Sequence, residues 1–216
     1  MLTAEQTREW ILSGIKAGER RIYIKFGDGE YLAIQGAQGE TINGDTYTAE
    51  QQHAIHDALR YFATCPDAMV GKWPDHAPWA DLRQMHADHL QPRWADYTSI
   101  LLQRGSERQM HRWWCAIRDL CDIDYVAPAR MAPVAKWLGA RHHVVAESNA
   151  NIDDIHPTGN LCILGAGFAA KRLMHRLSTT TTMHLLDVGS GLDSLAVGTT
   201  RQDQPDPSHI RNIFGL

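Results

Sequence analysis

The chain has 216 residues, 44% hydrophobic and 21% charged, with 17 glycines, 9 prolines, 4 cysteines and a formal net charge of −4. A chain of this size buries roughly 70–75% of its unfolded surface in one core, which excludes intrinsic disorder and removes any need for a stapling disulfide or structural metal. With 21 basic against 25 acidic residues, the overall field does not favour a polyanion, so non-specific nucleic-acid binding is not the expected main activity.

Thr3 and Gln6 form a capping-box pattern, and Trp10, Ile11 and Ile15 recur at helical spacing up to Gly18, predicting a helix over residues 4–17. No apolar run approaches the roughly 20 residues of a membrane span, and the charged beginning (Glu5, Arg8, Glu9) is unlike a signal peptide, so a cytoplasmic location is expected. Ile22, Ile24 and Phe26 alternate with Tyr23 and Lys25, the period of a strand, which runs into Gly27-Asp28-Gly29-Glu30. Asn43-Gly44-Asp45 marks a turn, and Thr48 with Gln51 caps a second helix bearing Ile55, Leu59 and Phe62. Residues 66–78 read as irregular, with one brief strand around Ala68-Met69-Val70.

Ser99 to Leu102 reads as a buried strand, and Ser106 with Gln109 caps a helix carrying Trp113, Ile117 and Leu120. Strands are predicted at residues 125–127, 144–146, 161–164 and 184–188, with a helix near Pro133 to Leu138. The alternation predicts an α/β fold, a single Rossmann-like domain with a mostly parallel sheet and helices on both faces. That domain is expected over residues 1–204, with a tail over 205–216 that begins at Pro205-Asp206-Pro207. Cys65, Cys115, Cys121 and Cys162 include no Cys-x-x-Cys pair, so they are expected as buried thiols. The pairs His53/His56 and His86/His89 lack a third ligand for zinc, and Arg104, Arg108 and Arg112 fit a solvated helix face. Trp113 is expected in the core, whereas Trp73 and Trp79 lie in the irregular segment.

Three segments carry chemistry. In the first, Asp28 and Glu30 stand two apart at the carboxyl end of a strand, where open α/β sheets bind ligands. Two such carboxylates could share Mg²⁺ or Mn²⁺ and so neutralise a diphosphate, with Gly27 and Gly29 allowing close backbone approach; a solvated Asp-Gly turn is the plainer reading. In the second, Gly165-Ala166-Gly167-Phe168-Ala169-Ala170 follows a strand and Asp187 comes about 20 residues later, the pattern of a dinucleotide fingerprint. Leu186-Asp187-Val188-Gly189-Ser190-Gly191 also has the form of a methyltransferase glycine motif, so an S-adenosylmethionine or NAD enzyme centred on residues 161–191 stays open. The third is the polar run Glu147 to Ile155, in which Asn149 or Asn151 could cap a helix or bind a base or sugar.

Together these segments resemble the GT-D-fold glycosyltransferases, a bacterial family first catalogued as a domain of unknown function. The resemblance lies in Phe26-Gly27-Asp28-Gly29-Glu30, Asn149-Ala150 before an acidic turn, Gly165-Ala166-Gly167 before a helix, and Asp187-Val188-Gly189-Ser190 with Asp193. Family members often have Arg where this chain has Lys25, and an aromatic residue where it has Asn151. The resemblance implies a metal-dependent glycosyltransferase taking a sugar from a UDP-sugar such as UDP-glucose, with Asp28 and Glu30 matching the Asp-x-Glu metal motif. Gly27, Asn149, Gly165, Gly167, Gly189 and Ser190 would then line the donor site, Asp187 or Asp193 would bind ribose or sugar hydroxyls, and Lys25 or Arg201 would steady phosphate charge. Asp193, Glu147 and Asp153 are the candidates for a base at the acceptor oxygen. The implied acceptor is a glycan, a glycoprotein or another hydroxyl carrier, a hydroxylated nucleic-acid base included, and the chain could act as a homo-oligomer.

Overall fold

The computed structural model describes residues 2–40, 46–72, 94–96, 106–147, 150–192 and 208. Its elements in chain order are α1 (Ala4–Lys16), β1 (Ile22–Lys25), α2 (Asp28–Ile34), α3 (Ala49–Thr64), β2 (Ala68–Lys72), β3 (Trp94–Asp96), α4 (Glu107–Leu120), β4 (Ile123–Ala127), α5 (Ala132–Leu138), β5 (His142–Val145), β6 (Leu161–Leu164), α6 (Gly167–Thr180) and β7 (His184–Asp187). The seven strands form one sheet in the order β3-β2-β1-β7-β6-β4-β5. Every pairing is parallel, so the expected mostly parallel sheet is parallel throughout.

Strand periodicity explains how this sheet acquires two cores. Tyr23, Met69, Tyr125, Ile163 and Leu186 face α1, α4 and α5, which contribute Ile11, Trp113, Trp114, Ile117, Val134 and Leu138. Their strand neighbours Ile22, Ile24, Val70, Val126, Cys162 and Leu185 face α3 and α6, met by Ile55, Leu59, Phe62, Phe168, Met174 and Leu177. Each large apolar side chain buried this way contributes roughly 1.5–3 kcal/mol. Burial on both faces is what makes the strands read as apolar runs.

The helix caps match the sequence reading. Thr3 accepts from the Gln6 N–H at 3.2 Å, while Gln6 Oε1 accepts from the Thr3 N–H at 2.9 Å. Thr48 accepts from Gln51, and Ser106 from Gln109. Trp113 lies in the core as expected, and Arg108 and Arg112 form an exposed face of α4. Of the four free thiols Cys162 alone is buried; Cys65, Cys115 and Cys121 are half-buried. That corrects the expectation of four buried thiols: Cys65 and Cys121 cap the ends of α3 and α4, and Cys115 lies within α4, whereas Cys162 is in a strand covered on both faces.

Two elements differ from the sequence reading. The strand β3 at Trp94–Asp96 was not anticipated, and the strand expected at Ser99 to Leu102 lies outside the described residues, as do Trp73, Trp79, His86, His89, Arg104 and the 205–207 start of the tail. More consequentially, Asp28 opens a helix where an Asp-Gly turn had been the alternative. Among the described residues no helix is long and apolar enough to cross a membrane.

Candidate functional site

The strands β1 and β7 lie side by side, although most of the chain separates them, and their carboxyl ends meet the start of α6. Parallel α/β sheets bind ligands along this edge. Phe26 and Gly27 leave β1, and α2 begins at once, with Gly27 as its N-cap. Asp28 and Glu30 therefore occupy the first turn of a helix, not an extended strand end, and residues two apart on a helix do not share a face.

Glu30 turns back on its own helix start. Its Oε2 accepts from the Gly27 N–H at 2.8 Å, satisfying one of the donors that a helix start leaves open. Its Oε1 lies 3.0 Å from Nζ of Lys171, a residue of α6 whose side chain is only 2% exposed. The same ammonium pairs with Asp187 Oδ2 at the end of β7, where the side chain has no exposed surface. Asp187 Oδ1 accepts from the Gly189 N–H at 2.9 Å, and Oδ2 also faces the Lys25 N–H at 3.4 Å. The Phe26 ring completes the surround, with its centroid 5.9 Å from Lys171 Nζ.

Charge pairing dominates the electrostatics here. Burial alone would raise the Glu30 carboxyl, but the Lys171 ammonium and the Gly27 N–H outweigh it and hold the group below its ordinary value. Burial alone would lower Lys171, and Asp187 with Glu30 outweigh that and push it up. Glu30 and Lys171 are thus both held in their charged forms.

Glycine is required at two points beside the cluster. Gly189 has φ +48°, and a Cβ there would overlap Cε of Lys25, so the buried Lys25 side chain crosses directly over its backbone. Gly165 has no left-handed angle, but a Cβ on it would come within 3.1 Å of the Gly189 carbonyl oxygen. Gly167 starts α6 with φ +54°. The two glycine segments of the sequence therefore pack against each other, one after β6 and one after β7.

The structure gathers Lys25, Gly27, Glu30, Gly165, Gly167, Asp187 and Gly189 at this edge, with Ser190 in the short turn Gly189–Leu192. Asp187 faces inward, not toward a ligand, because its oxygens satisfy Lys171 and the Gly189 N–H. Asn149, Asp193 and Arg201 lie outside the described residues, and of Asp28 only the helical backbone is described. Glu147 and Asp153 are exposed. Glu147 sits 3.8 Å from Arg130, and Asp153 donates its N–H to Asn151 Oδ1, the capping role expected of an Asn in that run. Glu147 follows β5, which is three strands away from β7, roughly 14 Å at the usual strand spacing.

Sequence reasoning missed Lys171. Its signal was a lysine in the apolar stripe Phe168, Lys171, Met174, Ser178, where a charge needs a partner.

No family model matches the chain, and no curated protein matches it in sequence. Solved structures do. One, of the conserved domain of unknown function 1792, described as having a distinct glycosyltransferase fold, matches with a TM-score of 0.60 at 16% identity, over 93% of this chain and 83% of that one. Another, described as a new glycosyltransferase of the same domain from Streptococcus sanguinis, matches with a TM-score of 0.59 at 14% identity, over 94% of this chain and 87% of that one. The chain therefore has the fold of these glycosyltransferase structures, the fold its sequence resemblance implied.

Proposed function

We propose that the protein is a glycosyltransferase that moves a sugar from a nucleotide-sugar donor, a UDP-hexose such as UDP-glucose, onto a hydroxyl acceptor. The observation that carries this reading is the buried cluster of Glu30, Lys171 and Asp187 at the carboxyl edge, beside Lys25 and Gly189, in a chain with this fold. The start of α6, which has no side-chain cap, lies at the same edge, and a helix start of this kind favours a diphosphate. Lys25 adds positive charge.

Mn²⁺ or Mg²⁺ suits the acids on the first turn of α2, since both metals prefer hard carboxylate oxygens and leave positions for water and phosphate. Asp28 and Glu30 are the acids that would hold it in this proposal, Glu30 only by giving up the Lys171 ammonium or the Gly27 N–H that its two oxygens meet in this structure, and when bound it would supply a Lewis acid for the departing diphosphate. Asp193, next in the chain after Leu192, takes the role of acceptor base in this proposal, because Glu147 lies strands away and Asp153 sits in an exposed turn. The acceptor is a hydroxyl on a glycan, a glycoprotein or a hydroxylated base.

The inward Asp187 argues against the NAD or S-adenosylmethionine reading, in which that acid must reach a ribose. Calorimetry tests the choice. UDP is expected to bind with a requirement for Mn²⁺ that Asp28→Asn abolishes. Metal-independent binding of NAD or S-adenosylmethionine, with none of UDP, would reject the proposal.

A further inference from the structure

β5 ends the sheet: among the described residues it pairs with β4 on one side and with no strand on the other. Its ladder with β4 runs from His142 opposite Asp124 to Val145 opposite Ala127 without a bulge, and the Ala146 N–H donates to the Ala127 carbonyl at 3.1 Å. Backbone groups alternate in direction along a strand, so His142, Val144 and Ala146 turn theirs to β4, while His143 and Val145 turn theirs outward. Natural proteins blunt such an edge with lysine, proline or a bulge, and β5 carries none of these.

Side chains on one face of this edge come from Arg141, His143, Val145 and Glu147. The His143 ring stacks on Tyr125 with centroids 5.7 Å apart, and Val145 is 56% exposed. At the two ends stand opposite charges in loose surface pairs, Arg141 at 3.7 Å from Asp122 and Glu147 at 3.8 Å from Arg130. Pairs of this kind contribute little and rearrange readily. Read backwards, the row is complementary to itself.

We propose that β5 is the interface of a two-fold homodimer, in which it pairs antiparallel with β5 of a second copy and Val144 lies on the axis. In that register His143 and the partner's Val145 exchange their outward backbone bonds, and Arg141 faces the partner's Glu147. Any slip of the register separates those charges. The backbone bonds and the covered Val145 hold the copies together, and the charges select the register. This inference does not rest on the transferase reading.

Cysteine cross-linking tests the register. On the axis, Val144 and the partner's Val144 form a non-hydrogen-bonded pair with Cα atoms about 4.5 Å apart, within disulfide reach. Val145 lies diagonal to its own copy, about 7–8 Å away. Under mild oxidation Val144→Cys is expected to give a disulfide-linked dimer, and the more exposed Val145→Cys and the wild type are not. Sedimentation velocity over a concentration series tests the charges. The wild type is expected to dimerise reversibly, Arg141→Glu and Glu147→Arg each to dimerise at least about tenfold more weakly because like charges then meet, and an equimolar mixture of the two to recover dimers. A wild type that stays monomeric throughout, a mixture that recovers nothing, or Val145→Cys that cross-links as readily as Val144→Cys overturns the proposal.

Discussion

Among the described residues each end of the sheet buries one aspartate, and the two are satisfied in opposite ways. Asp124, near the amino end of β4, meets fixed partners: its Oδ2 accepts from the backbone N–H groups of Thr158 and Gly159, the latter at 2.7 Å, and its Oδ1 lies 3.0 Å from Nδ1 of His142. Asp187, at the carboxyl end of β7, meets the side-chain ammonium of Lys171, shared with Glu30. Backbone donors cannot leave, so Asp124 pins the loop before β6 and is structural. An ammonium on a long side chain can exchange one carboxylate for a ligand, so the carboxyl edge holds an arrangement that binding can alter.

That contrast can be broken most strongly at Lys171. Lys171→Met is expected to cost about 3–5 kcal/mol in urea unfolding, because removing one member of a buried ion network leaves the others uncompensated. Asp124→Ala, which orphans two backbone donors, should cost about 2–3 kcal/mol yet leave the UDP-sugar hydrolysis rate per folded molecule unchanged. A fall in that rate would blur the distinction between the two ends. Gly189→Ala introduces a Cβ at φ +48° and against Lys25, and should destabilise by about 1–2 kcal/mol while weakening UDP binding in calorimetry.

The smallest effect concerns acid. Glu30 is held below its ordinary value in the folded protein, so its ionised form adds stability that is complete above the unfolded-state value of about 4.3 and is lost as pH falls through the lowered folded-state value. The stability difference between wild type and Glu30→Gln should therefore be largest near neutrality and shrink on acidification. A difference that does not change from pH 7 to pH 3 would show that Glu30 is not paired as described.

The helices were legible wherever a side chain signed their beginnings: Thr3, Thr48 and Ser106 marked α1, α3 and α4 to within a residue. Apolar runs located β1, β6 and β7 because both faces of the sheet are covered. α2 was hidden because Gly27-Asp28-Gly29 carries two glycines, a turn signature, and the capping contact from Glu30 to Gly27 is a property of the folded chain. Lys171 was hidden for a different reason. Its partners stand 141 positions before it and 16 after it, Glu30 and Asp187, and only the placement of α6 over β1 and β7 brings them together. Local pattern gives the elements; a charge network assembled across three of them has no local pattern.

The central claim is that the carboxyl edge of this sheet breaks a sugar-diphosphate bond, and UDP release from a panel of UDP-sugars without acceptor tests it most directly. The account predicts slow release from one UDP-hexose with Mn²⁺ present, abolished by Asp28→Asn and retained per folded molecule in Asp124→Ala. No release from any UDP-sugar, or undiminished release by Asp28→Asn, would contradict it.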